Sequence, residues 1–207
     1  LTAMQSFELM DAKPGQTVLI SGGTGSLGAM AIPLTKSLGL TVATNGNGQN
    51  EERVRALGAD IFIDYKKQSY ADVLSEVDLV LDTLGDRELP TEFKILKEGG
   101  RLVSLRGMPN GRFARRMGLP WYKRFLLSLA GRKYDAMAAR KKQTYDFIFV
   151  HEDGAQLESI ASLFPAEHPL TASIDATFTL DQINEALAKV RAGGSQGKTI
   201  VRIGDFQ

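Results

Sequence analysis

Thr17-Val18-Leu19-Ile20-Ser21-Gly22-Gly23-Thr24-Gly25-Ser26-Leu27-Gly28 decides the fold. Thr17 to Ile20 follow the turn signal Lys13-Pro14-Gly15 and read as a short strand. A glycine-rich turn comes next, then a helical pattern from about Leu27 to Leu38 that Gly39 ends. Pro33 lies within that helix, where its missing N–H predicts a local kink. The same rhythm continues downstream. Strands are expected at Thr41 to Thr44, Ile61 to Ile63, Leu79 to Leu81 and Leu102 to Leu105. Between them, helices are expected at Glu51 to Leu57, Tyr70 to Ser75 and Pro90 to Leu96. Apolar strands separated by helices make a parallel sheet covered on both faces, so the sequence predicts a doubly wound α/β domain. The last third breaks the rhythm. Phe147-Ile148-Phe149-Val150 predicts a sixth strand that ends the sheet, followed by a helix over Leu157 to Phe164. Ser173 to Phe178 alternates as a half-exposed strand, and a helix opens at Asp181 with Ile183, Ala186, Leu187 and Val190 on one face. Gly193-Gly194 caps that helix and Thr199 to Ile203 closes as a strand.

Composition narrows the chemistry. The 207 residues are 43% hydrophobic and 24% charged, the balance of a globular protein with a sizeable core. Without cysteine there is no disulfide framework, thiolate zinc site or cysteine nucleophile. His151 and His168 are the only histidines, too few for a multi-histidine metal centre. No apolar run reaches the roughly 18 residues of a membrane span and no basic-then-apolar leader is present, so a cytoplasmic protein is expected. The chain begins at Leu1 and reads as a piece of something longer. A net charge of +1 conceals an asymmetry: Arg106 to Lys142 holds eleven basic residues against one acid, Asp135.

Gly23 to Gly28 satisfies G-x-G-x-x-G between a predicted strand and a predicted helix, the context that gives the pattern meaning. A dinucleotide pyrophosphate needs a tight turn, backbone approach at Gly23 and Gly25 without a Cβ, and a helix N-terminus at Ser26 and Leu27. A glycine-rich turn without a ligand is the alternative. An acid about 20 residues on would bind the ribose of NAD, but residues 40–50 contain none, which favours NADP. Asn45, Asn47 and Asn50 can donate to its 2′-phosphate and Arg53 is within sequence reach.

These residues, with Leu57-Gly58-Ala59-Asp60, Asp78-Leu79-Val80-Leu81-Asp82-Thr83-Leu84-Gly85, Leu96-Lys97-Glu98-Gly99-Gly100-Arg101-Leu102-Val103-Ser104 and Gly197-Lys198-Thr199-Ile200-Val201, resemble a known family. It is the medium-chain dehydrogenase/reductase superfamily, in its zinc-independent quinone-oxidoreductase-like branch. The resemblance implies a Rossmann domain over residues 1–165, binding NADP(H), and a tail over 166–207 that returns to a GroES-like catalytic domain not represented here. It implies that Thr24, Ser26 and Leu27 meet the pyrophosphate, Asn45 and Asn47 the adenine ribose, and Tyr65 the adenosine end. Leu84, Leu105, Phe147 and Phe149 would line the nicotinamide half. It also implies hydride transfer to a quinone, enone or other carbonyl substrate, and a homodimer through the sixth strand. Gln49 stands where relatives often place a cation, and no catalytic acid or base is expected in this chain.

Rival readings are weaker. No tyrosine has a lysine four positions on, as short-chain dehydrogenases need. Gly193-Gly194-Ser195-Gln196-Gly197 matches the hydrolase elbow but runs from helix to strand, the wrong order. A non-catalytic dinucleotide-binding module with a basic docking segment is the alternative function. Leu119 to Leu127 mixes aromatics with cations. The favoured reading packs its apolar face near the active-site cleft; membrane-surface contact through 106–142 is second, and nucleic acid is not expected.

Overall fold

Thr17–Ile20 forms β1, in which Val18, Leu19 and Ile20 are fully buried. In the computed structural model, which describes residues 1–164, 170–171, 173–193 and 197–204, β1 pairs in parallel with two neighbours. These are β2 (Thr41–Gly46) and β4 (Val77–Asp82). With β3 (Ile61–Asp64), β5 (Leu96–Ser104) and β6 (Thr144–Phe147) the order is β3-β2-β1-β4-β5-β6, all parallel. The expected doubly wound sheet is present.

Alternation along the strands separates two cores. Val18, Ile20, Leu79 and Leu81 face one side with Phe7 and Met10, which follow from helix α1 (Thr2–Leu9), and with Ile32 and Leu34 of α2 (Gly28–Ser37). Val54 of α3 (Glu51–Ala56) and Ile160 of α8 (Gly154–Ser162) join them. Leu19 and Val80 face the other side, under Leu89 and Phe93 of α4 (Leu89–Ile95) and Tyr134 of α7 (Arg132–Ala139). Helix α2 runs on through Pro33 to Ser37.

Four elements depart from expectation. Helix α1 has no side-chain cap, and the sequence pattern does not announce it; Gln5 fixes it by exchanging two hydrogen bonds with the His151 backbone. Tyr70 to Ser75 is only a 3-10 turn over Tyr70–Asp72. The sixth strand is Thr144–Phe147 rather than 147–150. Its polar Asp146 hid it from an apolar pattern, because Arg112 and Arg116 neutralise that carboxylate at 3.2 and 3.0 Å. Residues 106–142 fold as α5 (Gly111–Arg116), α6 (Trp121–Ala130) and α7, and the apolar face of α6 is turned outward, not packed.

Beyond α8, β7 (Ile174–Thr179), α9 (Ile183–Ala192) and β8 (Lys198–Arg202) form a separate two-stranded parallel sheet with its crossover helix. His168, the 165/166 boundary and Gly194-Ser195-Gln196 of the elbow-like run lie outside the described residues.

Candidate functional site

Strand order reverses between β1 and β4, and a crevice at such a switch point is where open α/β sheets bind ligands. A cavity of about 690 Å³ opens there. Gly22, Thr24, Asn45, Tyr65, Tyr70 and Leu84 are among its lining residues. A second cavity of about 790 Å³ lies beyond the first turn of α2, between Leu1, Leu27, Leu157 and Phe164. Although larger, it takes in no residue of the six-stranded sheet, so the switch-point cavity is the candidate site.

The glycine turn is held by the neighbouring strand. Gly22, at φ +70°, donates its amide to Asn45 Oδ1 at 2.8 Å. Gly23 donates to Thr44 Oγ1 at 3.0 Å, while the Thr44 hydroxyl donates to the Ile20 carbonyl at 2.6 Å. A Cβ on Gly28 would fall 2.1 Å from the Gly23 carbonyl, which fixes how closely α2 seats on the turn. At Gly25 the nearest atom would be 3.4 Å away, leaving that backbone approachable. Among the described residues no backbone bond engages the amides of Ser26 and Leu27. Free donors at the head of a ten-residue helix fit a pyrophosphate.

The opposite wall is ordered by Asp82, fully buried at the end of β4. Its Oδ1 accepts the Leu84 and Gly85 amides, both at 2.8 Å, and its Oδ2 accepts the Ser104 hydroxyl at 2.5 Å. That loop carries Leu84 to the cavity rim. Behind it Glu92 is fully buried with neither carboxylate oxygen hydrogen-bonded. Burial, then repulsion from Asp82 and Glu88, holds its pKa well above the usual carboxylate range. The Ser21 hydroxyl offsets this only in part, being directed at Leu81 O and Asp82. Tyr70 donates to Glu88 Oε2 at 2.8 Å; burial and nearby carboxylates push its pKa up. The same causes lift Tyr134, beside Asp86, to about 12.

Of the expected site residues, Thr24, Gly25, Asn45, Tyr65 and Leu84 meet at this cavity, and Gly23 is buried beneath it. Ser26 and Leu27 line the second cavity instead. Asn45 is 5% exposed and commits its oxygen to Gly22. Asn47 turns back to cap Gln49. Leu105 packs on the core. Phe147 stacks edge-on with Phe113 at 5.2 Å, and Phe149 is 67% exposed. None of these last three lines the cavity. Arg53 donates to the Thr24 carbonyl at 2.7 Å, bracing the turn. Sequence spacing missed Thr44, Asp82 and Ser104, and also Asp64. The Asp64 carboxylate reaches the acid-free loop from β3: a Cβ on Gly48 would lie 2.3 Å from its Oδ2.

Comparisons with known proteins point the same way. A family model described as zinc-binding dehydrogenase matches residues 57–201. The chloroplastic NADPH-dependent alkenal/one oxidoreductase of Arabidopsis thaliana is 33% identical over 108 residues, 51% of this chain and 28% of that protein. The mitochondrial NAD(P)H oxidoreductase RTN4IP1 of Danio rerio is 29% identical over 95% of this chain and 51% of its own length. The chain thus spans about half of that relative and less of the other. A quinone oxidoreductase structure from Coxiella burnetii superposes with TM-score 0.80 at 24% identity, over 98% of this chain and 57% of that one.

Proposed function

The chain belongs to the zinc-binding dehydrogenase family, within the medium-chain dehydrogenase/reductase superfamily, and on that basis we propose that it is the NADP(H)-binding portion of an oxidoreductase acting on enones, quinones or related carbonyls. The observation that carries the reading is the crevice between β1 and β4, floored by approachable glycine backbone at Gly22 and Gly25; the amides of Ser26 and Leu27, next along the same turn, have no backbone partner. When bound, the cofactor supplies hydride. The residues of this chain supply position. Ser26, Leu27 and the α2 N-terminus hold the pyrophosphate, Tyr65 covers the adenosine end, and Leu84 covers the nicotinamide end from a loop locked by Asp82. Leu105, Phe147 and Phe149 complete that apolar half by resemblance.

NADP over NAD is the favoured choice because residues 40–50 hold no acid, and the name of the Arabidopsis relative supports it. The nearby Asp64 and the engagement of Arg53 with Thr24 keep the preference to about 1–2 kcal/mol, one charge-assisted hydrogen bond. The family description names zinc, but the donors here do not fit it. The chain has no cysteine and two histidines, and no group of three ligating side chains occurs among the described residues. A cytoplasmic homodimer joined through the β6 edge completes the reading.

Titration calorimetry with NADPH and NADH, followed by enone and quinone reduction by the full-length protein, tests the proposal. NADPH is expected to bind about tenfold more tightly. Absence of binding by either cofactor overturns it.

A further inference from the structure

Helix α6 presents its greasiest side to water. Trp121 is 79% exposed, Phe125 65%, Leu126 59%, Leu129 58% and Tyr122 49%, and no residue of the helix is buried. At 3.6 residues per turn these five occupy one arc of about 140°. The arrangement is preformed, not a frayed segment. Leu127, opposite the arc, is the one half-buried residue of the helix, and at the edge of the arc Gly111 of α5 allows contact with Ser128: a Cβ on the glycine would fall 2.2 Å from the serine Oγ. Gly131, closing the helix, sits as tightly on Asn110.

Charge on this face has one sign. Lys123 and Arg124 flank the arc, with Arg132 and Lys133 following at the start of α7 and Arg115 at the end of α5. The only acid between Arg106 and Lys142 is Asp135, and its carboxylate is held by Asn110 at 2.7 Å. An apolar arc with Trp and Tyr at one end, bordered by cations, matches a bilayer interface. Rings and aliphatic chains enter the headgroup boundary while cations meet anionic lipid. Binding at such a surface scales with buried apolar area plus attraction to anionic lipid, and this ten-residue helix offers both. No described helix is long and apolar enough to span a membrane, so the contact lies in the plane of the surface.

We propose that α6 is a peripheral membrane anchor that docks the protein on bilayers containing anionic lipid. It stands independently of the cofactor reading, because none of its residues lines the candidate site.

The test is co-sedimentation of the full-length protein with phosphatidylcholine vesicles, with and without about 30% phosphatidylglycerol. In parallel, fluorescence of Trp121, the single tryptophan of this chain, is read with brominated lipid as quencher. Binding is expected about tenfold stronger to the anionic vesicles, weakened by high salt, with Trp121 quenched. The double variant Phe125→Glu, Leu129→Glu alters only exposed positions and should abolish binding while leaving circular dichroism and cofactor affinity intact. No binding to anionic vesicles overturns the proposal. So does binding that survives the double variant, since charge elsewhere would then be responsible. So does a self-associated species that the variant dissociates without any lipid binding, since a second copy would then cover the helix.

Discussion

Thr44 Oγ1 occupies the space that a side chain on Gly23 would need: a Cβ there would lie 2.0 Å from it. The same hydroxyl ties the Gly23 amide to the Ile20 carbonyl. The glycine is thus required by the protein's own packing before any ligand arrives. Gly23→Ala should cost about 1–3 kcal/mol as an overpacked site. Adding Thr44→Ala should recover part of it, a coupling that urea denaturation of the four species of the cycle measures. Strict additivity would show that the two residues do not contend for one space.

Glu92 should make the protein less stable as pH rises. Its folded pKa lies above the ordinary 4.5, so between those values the native state keeps a proton that the unfolded chain has lost. Stability therefore falls with increasing pH across that window, by at most about 1.4 kcal/mol per pH unit for one proton. Glu92→Gln removes the titration and should flatten the slope in thermal melts from pH 5 to 8. An unchanged slope would place the proton elsewhere.

Asp146 should matter more than either of its arginines. It is 4% exposed and faces both Arg112 and Arg116, each of which is partly in water. Asp146→Ala strips the link between β6 and α5 and is expected to cost about 2–3 kcal/mol. Arg112→Ala leaves the second partner and should cost about 1 kcal/mol or less. Chemical denaturation of both variants beside the unsubstituted protein checks the ranking.

Asn45→Asp keeps an acceptor for the Gly22 amide while placing a carboxylate at the cavity wall. NADPH affinity should fall about tenfold or more and NADH affinity much less, since only the former brings a 2′-phosphate to repel. Calorimetry with both cofactors reads the ratio. Equal losses would mean that the ribose sits away from Asn45.

Much of this architecture was legible because buried parallel strands are written in consecutive apolar residues. Val18-Leu19-Ile20 and Leu79-Val80-Leu81 announce themselves and are buried to within 1%. What escaped was whatever depends on a distant partner. Asp146 looks wrong for a strand until two arginines some thirty positions earlier reach it. Asp82 is visible within a motif, yet its four donors come from three different strand ends. Arg53 reads as a phosphate ligand by proximity in sequence, whereas tertiary contact spends it on Thr24. Asp64 enters the loop after β2 only because β3 lies beside β2.

The position of β1 has a kinetic consequence. Flanked on both edges and dry on both faces, its amides can exchange with solvent hydrogen only when the whole sheet opens. The glycine turn leaves directly from Ile20 and is bolted to β2 through Thr44 and Asn45. A ligand held there would be anchored to the most deeply buried strand of the sheet. Partial openings of α5–α7, or of the small β7–β8 sheet, can come and go without loosening that grip.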